Sequence, residues 1–370
     1  MKTLFILSIA TGYGGAERSV EIIIRHLPPD LNIRIYAENN HHLEKLILPY
    51  ALPKNAKLIR IKDSSSLWGR RKASLRLVVD CLLHPDASIL INTNTSARIA
   101  AMSAKFIPSL GKRCCVYIRD FLWQDLDYVF SRLSGLRVFL PSVSVTQRLG
   151  YINPFFIQPT GPAPFYVIPD MAILPSGPVT YDGPLLHLAT INPWKGHVDL
   201  MLALKILKDE HREVKATSLG IVGDALLHKQ LHQLVINLGI GGCYQLLSYS
   251  PAPDLYLRDC RAVIVPSVSH SGGPETFGRA VIEAWSYRKP VVAYSNGALA
   301  ELVEHGVNGL LVQEGDVNAL AQAIRLLSDS PDLCRRLGMA GYEKVRACFE
   351  AGAVTNLLLD RMKDRSLDEA

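Results

Sequence analysis

Residues 266–284 read PSVSHSGGPETFGRAVIEA and carry the side chains with the clearest chemical use. An apolar run at 262–265 precedes them and reads as a buried strand. A polar, glycine-rich loop follows, and a helix is expected from near Thr276. The free amides of a helix start and its dipole favour an anion there. Glu275 stands at the mouth of that expected helix. Glu283 is eight residues on, roughly 12 Å along the axis at ~1.5 Å per residue. Two carboxylates bracketing an anion site suit a ligand with hydroxyls on both sides of a phosphate, because carboxylates accept hydrogen bonds from diols. A nucleotide sugar has that form. The plainer reading stays open: Glu275 as a helix-start acid favoured by the dipole, Glu283 as a solvated or salt-bridged one.

Two other stretches follow strands. Thr190-Ile191-Asn192-Pro193-Trp194-Lys195-Gly196-His197 places a lysine beyond a strand's carboxyl end, where a compact ammonium suits a diphosphate. A surface lysine before a helix is the bland alternative. Near the N-terminus, Gly12-Tyr13-Gly14-Gly15-Ala16-Glu17 lies between a strand and a helix. Glu17 occupies the third glycine position of GxGxxG, and no Gly-Lys-Ser/Thr follows, so neither a dinucleotide fingerprint nor a P-loop is present. Gly14 and Gly15 permit positive φ and close approach of a ligand; a bare tight turn is the alternative.

These stretches must be positioned by an alternation of strands and helices. Strands are expected at 4–10, 33–37, 57–61, 88–92, 114–118 and 138–140, with helical patterns at 17–27, 75–83 and 96–106 between them. Residues 153–184 hold at least seven prolines and little periodicity, which reads as a linker or hinge. The alternation then restarts, with strands at 185–189, 217–222, 243–246, 262–266, 291–293 and 309–312. Helical patterns at 197–208, 226–238, 277–287, 317–327 and 333–346 separate them. The fold class is α/β: two Rossmann-like β/α/β domains, 1–170 and 171–350, followed by a helical segment to residue 370. Open parallel sheets bind ligands beyond the carboxyl ends of their strands, so a cleft between the domains is the expected site.

Length and composition agree. The 370 residues suit two domains, and 48% hydrophobic with 20% charged residues is ordinary globular usage. No run of 18 apolar residues exists, which argues against a transmembrane helix. Residues 4–10 read as a buried strand rather than a signal sequence. The seven cysteines include no CxxC and read as reduced core residues, so a reducing, cytoplasmic compartment is expected. No zinc-ligand spacing occurs, and HKQLH at 228–232 is not HExxH, so no metal is expected. The formal charge of +6 is uneven. Residues 1–175 hold 21 basic against 12 acidic residues, or +9; the rest hold 19 against 22, or −3. The excess gathers at 54–76 around Leu67 and Trp68. A solvated face accounts for it, or a patch for anionic lipid headgroups; nothing resembles a nucleic-acid-binding signature.

From about Leu185 to Arg346 the sequence resembles the retaining nucleotide-sugar glycosyltransferases of the family 4 type, glycosyl transferases group 1, which have the GT-B fold. The resemblance rests on Pro193-Trp194-Lys195-Gly196, Val265-Pro266-Ser267, Glu275-Thr276-Phe277-Gly278 with Glu283, Lys289-Pro290-Val291-Val292-Ala293, Gly297 with Glu301, and Asn308-Gly309-Leu310-Leu311-Val312. The first half matches more weakly, through Gly14-Gly15-Ala16-Glu17. The resemblance implies a donor-binding second domain and an acceptor-binding first domain, with the last helix crossing back to the first. It implies that Glu275 contacts hydroxyls of the transferred sugar, Glu283 holds the ribose and Lys195 neutralises the diphosphate. Amides of Thr276, Phe277 and Gly278 cradle the distal phosphate, and Gly14 and Gly15 let the acceptor-side loop approach the donor. No cofactor is implied beyond the nucleoside-diphosphate sugar itself.

Two positions depart from the family pattern. Thr190 stands where an arginine usually supports the lysine. Arg119-Asp120 stands where a histidine often follows the fifth strand, and Asp120 is a substitute near the sugar or simply a helix cap. The expected activity is transfer of a sugar, with retention, to a saccharide or lipid-linked saccharide in envelope polysaccharide or lipopolysaccharide assembly. The basic 54–76 region would then face anionic membrane on its inner side. A nucleotide-sugar epimerase and a non-catalytic nucleotide-sugar-binding protein are the alternatives; a dehydrogenase lacks its fingerprint here.

Overall fold

A computed structural model describes residues 1–10, 14–38, 52–119, 123, 126–145, 147, 165–248, 250, 252–269 and 274–364. The chain divides into two compact units. Met1–Asp170 with Ala351–Ala370 form the first, and Met171–Glu350 the second.

The first unit is a seven-stranded parallel sheet of order β3-β2-β1-β4-β5-β6-β7. Its strands are β1 (Thr3–Leu7), β2 (Asn32–Glu38), β3 (Ala56–Ile61), β4 (Ser88–Ile91), β5 (Cys114–Tyr117), β6 (Arg137–Leu140) and β7 (Phe165–Val167). Every residue of β1 is buried, as a central strand covered on both faces requires. Helices α1 (Gly15–His26), α2 (Leu67–Leu83), α3 (Asn94–Ser103) and α4 (Leu126–Arg132) connect the strands. The core gathers Phe5, Leu7, Leu77, Ile89, Val116 and Val138 with their neighbours.

Three boundaries differ from the sequence expectation. β7 lies inside the proline-rich stretch taken for a linker. It is a three-residue edge strand pairing Val138 with Phe165, and an edge tolerates nearby prolines. Helix α2 begins at Leu67 rather than at 75, because the Ser66 side chain accepts from Gly69 N and caps a first turn that lacks apolar periodicity. The third concerns residue 276 and is described with the site.

The second unit is a six-stranded parallel sheet of order β10-β9-β8-β11-β12-β13. Its strands are β8 (Leu185–Leu188), β9 (Ala216–Leu219), β10 (Tyr244–Leu247), β11 (Val263–Val265), β12 (Val291–Tyr294) and β13 (Leu310–Val312). Helices α5 (His197–Asp209), α6 (Ala225–Asn237), α7 (Pro253–Asp259), α8 (Arg279–Ser286), α9 (Leu299–Leu302), α10 (Val317–Asp329) and α11 (Pro331–Cys348) cover its faces. Apolar clusters lie on both faces, one around Leu200, Leu204 and Ile324, the other around Trp285, Val281 and Val345. Lys289 is fully buried; its Nζ donates to the carbonyls of Thr180, Arg258 and Cys260, which satisfies a charge that would otherwise be costly there.

Ala172 forms a parallel bridge with Glu350, and its N–H donates to Phe349 O at 2.9 Å. Helix α12 (Ala351–Lys363) then belongs to the first unit and packs on α1.

Candidate active site

In the second unit the site grows from loops beyond the carboxyl ends of β8, β11 and β12. After β8 the chain makes one tight turn at Pro193–Lys195 and reaches Gly196 with φ +70°. A Cβ there would lie 1.8 Å from Pro266 O, so only glycine lets this loop rest on the segment after β11. Val268 N closes the contact on Trp194 O at 2.9 Å. This seating brings Lys195 Nζ to 2.6 Å from Glu275 Oε2, with both side chains mostly buried.

Glu275 is held from β12. Its N–H donates to Asn296 Oδ1 at 2.7 Å, and its carbonyl accepts from Ala298 N at 2.9 Å. Gly297, at φ +48°, must lack a Cβ, which would stand 2.3 Å from Glu275 O. Asn296 Nδ2 in turn donates to Ser269 Oγ and to Glu314 Oε2. Burial pushes the Glu275 carboxyl up, but the Lys195 ammonium, its hydrogen bond and a bond from Ser267 outweigh that. The carboxyl is held below its ordinary range and is ionised.

The helix expected near Thr276 starts at Arg279. Gly278, at φ +89°, turns the chain through the left-handed region just before α8. Thr276, Phe277 and Gly278 therefore belong to the approach to the helix. Phe277 is 4% exposed and stacks edge-on against Phe349, anchoring that approach in the core. Glu283 sits on α8, where its Oε1 accepts from Arg279 Nη2 at 2.6 Å. Arg279 is a functional candidate that the sequence reading missed; its i,i+4 spacing to Glu283 was the available signal. Thr190 is uncharged and locally engaged, its Oγ1 accepting from Asn192 Nδ2 at 3.1 Å and its carbonyl bonding the His197 ring.

The first unit holds the remaining candidates. Gly14 caps α1 with φ −141°, and its N–H donates to Glu17 Oε2 at 2.7 Å. Neither Gly14 nor Gly15 has positive φ, which corrects the sequence expectation: the strand-to-helix turn closes in extended and helical backbone instead. Among the described residues, a Cβ on Gly14 would meet only Glu17 Oε2, at 3.4 Å. Burial raises the Glu17 carboxyl's affinity for its proton, against bonds from the Gly14 and Glu17 backbone and the nearby Arg119 charge. Arg119, at the end of β5, is buried. It stacks 3.6 Å over the Tyr117 ring and pairs with Asp170, which also accepts from Ser19 Oγ. Asp120 lies outside the described residues. Among the described residues no group of three or more His, Cys, Asp or Glu side chains is placed to hold a metal.

The basic stretch forms one surface of the first unit. Trp68, Leu75, Val79, Leu82 and Leu83 are exposed, at spacings that put them along one side of α2. Beside them, a groove of about 540 Å³ between β3 and α2 is walled by Lys57, Arg60, Lys62, Trp68, Lys72 and Arg76.

Two parallel α/β sheets, each with ligand-type side chains beyond its strand ends, define the GT-B fold, and solved structures agree. The chain superposes on Anabaena Alr3699/HepE in complex with UDP and glucose with a TM-score of 0.79 and 21% identity, over 98% of this chain and 100% of that one. Sucrose-phosphate synthase from Thermosynechococcus elongatus gives a TM-score of 0.77 at 16% identity over the whole of both chains. Residues 181–344, the core of the second unit, match the model of the family glycosyl transferases group 1. Curated relatives include the lipopolysaccharide core biosynthesis glycosyltransferase LpsD of Rhizobium meliloti (strain 1021), 32% identical over 45% of this chain and 45% of the relative. The amylovoran biosynthesis glycosyltransferase AmsK of Erwinia amylovora is 31% identical over 45% of this chain and 40% of its own length. The matched stretch thus spans less than half the length of these relatives.

Proposed function

We propose that the chain is a retaining, metal-independent glycosyltransferase that moves a hexose from a nucleoside diphosphate to a saccharide or lipid-linked saccharide of the cell envelope. The observation that carries this is the Lys195–Glu275 pair, seated by two obligatory glycines on a group 1 domain. The relatives named for lipopolysaccharide core and amylovoran synthesis, and the fold neighbour that holds UDP and glucose, support the same reading.

Without a ligand, Lys195 and Glu275 neutralise each other. A donor diphosphate takes over the ammonium, and the freed carboxylate turns to the sugar hydroxyls. As the glycosidic bond breaks, charge gathers on the leaving diphosphate, and Lys195 with the amides of the 276–278 approach stabilises it. Thr190 contributes no charge, so Lys195 carries the larger share. Glu283, oriented by Arg279, receives the ribose hydroxyls. Asp120, Gly14 and Gly15 complete the proposal on the first domain, which takes the acceptor. The test is a panel of UDP-, GDP-, ADP- and dTDP-sugars with EDTA present. One donor should stabilise the protein against thermal unfolding and release nucleotide slowly, and Glu275→Ala should abolish both. Absence of stabilisation by every nucleotide would overturn the assignment.

The acceptor reading includes contact between the 54–76 surface and an anionic membrane on the cytoplasmic side. The exposed side of α2 supplies apolar side chains, and the groove supplies cations at Lys57, Arg60, Lys62 and Lys72. Arg70 already donates to the carbonyls of Ser64 and Ser65, so its neutralisation is the less informative one.

A further inference from the structure

Strands β11, β12 and β13 are neighbours in the second sheet, and one residue from the loop after each meets at a single point. Ser269 comes from the loop after β11, Asn296 from the loop after β12 and Glu314 from the loop after β13. Asn296 is buried and Glu314 half-buried. Glu314 Oε1 accepts from Ser269 N at 2.6 Å. Its Oε2 accepts from Ser269 Oγ at 3.1 Å and from Asn296 Nδ2 at 2.8 Å. Asn296 Nδ2 also donates to Ser269 Oγ at 3.0 Å, and Asn296 Oδ1 accepts from Glu275 N at 2.7 Å.

Donors and acceptors run one way through this chain of bonds. A carboxylate only accepts, so the Asn296 NH2 must face Glu314. That turns the Asn296 oxygen toward Glu275, where a backbone N–H needs an acceptor. The reversed amide would set NH2 against N–H at one end and oxygen against carboxylate at the other. Glu314 therefore dictates the orientation of the side chain that holds Glu275. It also holds Ser269, by N–H and by hydroxyl. Ser269 and Glu275 flank the polar, glycine-rich stretch after β11, so the Glu314–Asn296 pair grips the chain on both sides of it.

We propose that Glu314 is a positioning residue for Glu275: acting through the Asn296 amide, its carboxylate sets where the Glu275 backbone stands, and so where that side chain meets a donor sugar. Glu314 itself touches no ligand in this arrangement. The inference rests on the reading of Glu275 as the residue that contacts the transferred sugar.

The experiment uses the full chain with Glu314→Gln, Asn296→Asp and both together. Every change keeps the size of the side chain. Each single variant breaks the polarity: glutamine offers one acceptor oxygen where the Ser269 N–H, the Ser269 hydroxyl and the Asn296 NH2 all point, and aspartate offers Glu314 no N–H. The double variant reverses the pattern and restores it, with an amide at 314 donating to a carboxylate at 296 whose other oxygen still accepts from Glu275 N. The probes are whichever of the UDP-, GDP-, ADP- and dTDP-sugars stabilises the parent, and its nucleoside diphosphate alone, both measured by calorimetry. Each single variant should lose about tenfold in affinity for the nucleotide sugar, the scale of one lost hydrogen bond to a charged group, yet stay within about threefold for the diphosphate. The double variant should return to within about threefold of the parent for both. Single variants that match the parent, an equal fall for both ligands, or a double variant no better than the singles overturns the proposal. Proton NMR of the parent gives a second judgement that needs no variant to fold: the Asn296 side-chain NH2 should exchange slowly with solvent, and fast exchange overturns the coupling. If the parent binds no nucleotide sugar, the reading of Glu275 fails. Exchange of the Glu275 amide, slow in the parent and double variant and fast in the singles, then still decides whether Glu314 sets that backbone.

Discussion

Lys195 and Glu275 are each other's counter-ion, and removing one leaves the other mostly buried without an opposite charge. Lys195→Met should therefore destabilise the fold by about 1–3 kcal/mol in chemical denaturation, besides abolishing donor binding. The pH dependence follows from three groups. Glu275 is held below its ordinary value of 4.5, so its contribution is full above that value and is lost as pH falls through the lowered one. Burial holds His187 and His197 below 6.5, with the neighbouring ring adding to it at His187 and the Lys195 ammonium at both. The unfolded chain takes up protons there first, so stability declines as pH drops below about 6.5. Thermal melts should show a falling midpoint from pH 6.5 downward, and the double variant His187→Gln with His197→Gln should flatten the portion above pH 5. Lys195 and Glu275 were readable in the sequence because each follows a strand end. The buried imidazole pair was not: His187 and His197 stand ten residues apart, and nothing in that spacing records that their rings meet.

Elements were legible where apolar periodicity is strong and blurred where turn geometry decides. The start of α8 shows why. Thr276 and Phe277 suit a helix, but Gly278 adopts φ +89°, which the residue type permits without requiring. Strand β7 was hidden because three half-exposed residues among prolines carry no burial pattern. The loop before α5 offers the sharpest element-scale test. Gly196→Ala would set a Cβ 1.8 Å from Pro266 O at φ +70°, and backbone cannot yield that far without lifting the loop. The variant should fold with a lowered melting point, and UDP binding by calorimetry should drop at least tenfold, the scale of a lost charge-assisted contact. Unchanged affinity would show that the seating of the loop is irrelevant to the ligand.

At the scale of the whole molecule, the sequence announced two Rossmann-like sheets and an uneven charge, and both are there. It could not show that the cations of 54–76 share a surface with apolar side chains, because Lys57 and Arg60 lie on β3, Lys54 and Lys62 flank it, and the other four lie on α2. Vesicle co-sedimentation should show binding to anionic but not to neutral lipid, weakening as salt rises. Neutralising Lys57, Arg71 and Lys72 together should reduce it at least tenfold, at about 1 kcal/mol per cation near the surface. Trp68→Ser should weaken it without changing its salt dependence.

The bridge between Ala172 and Glu350 has a consequence for how this chain is assembled. The second unit enters and leaves the first at neighbouring residues, hydrogen-bonded to each other. It is therefore an insertion with its ends already closed, needing no spacer to be cut free or exchanged. Residues 171–350 expressed alone should fold with a single cooperative transition and retain UDP binding. The same closure would let the second unit of a related chain be grafted between residues 170 and 351 while α12 still finds α1.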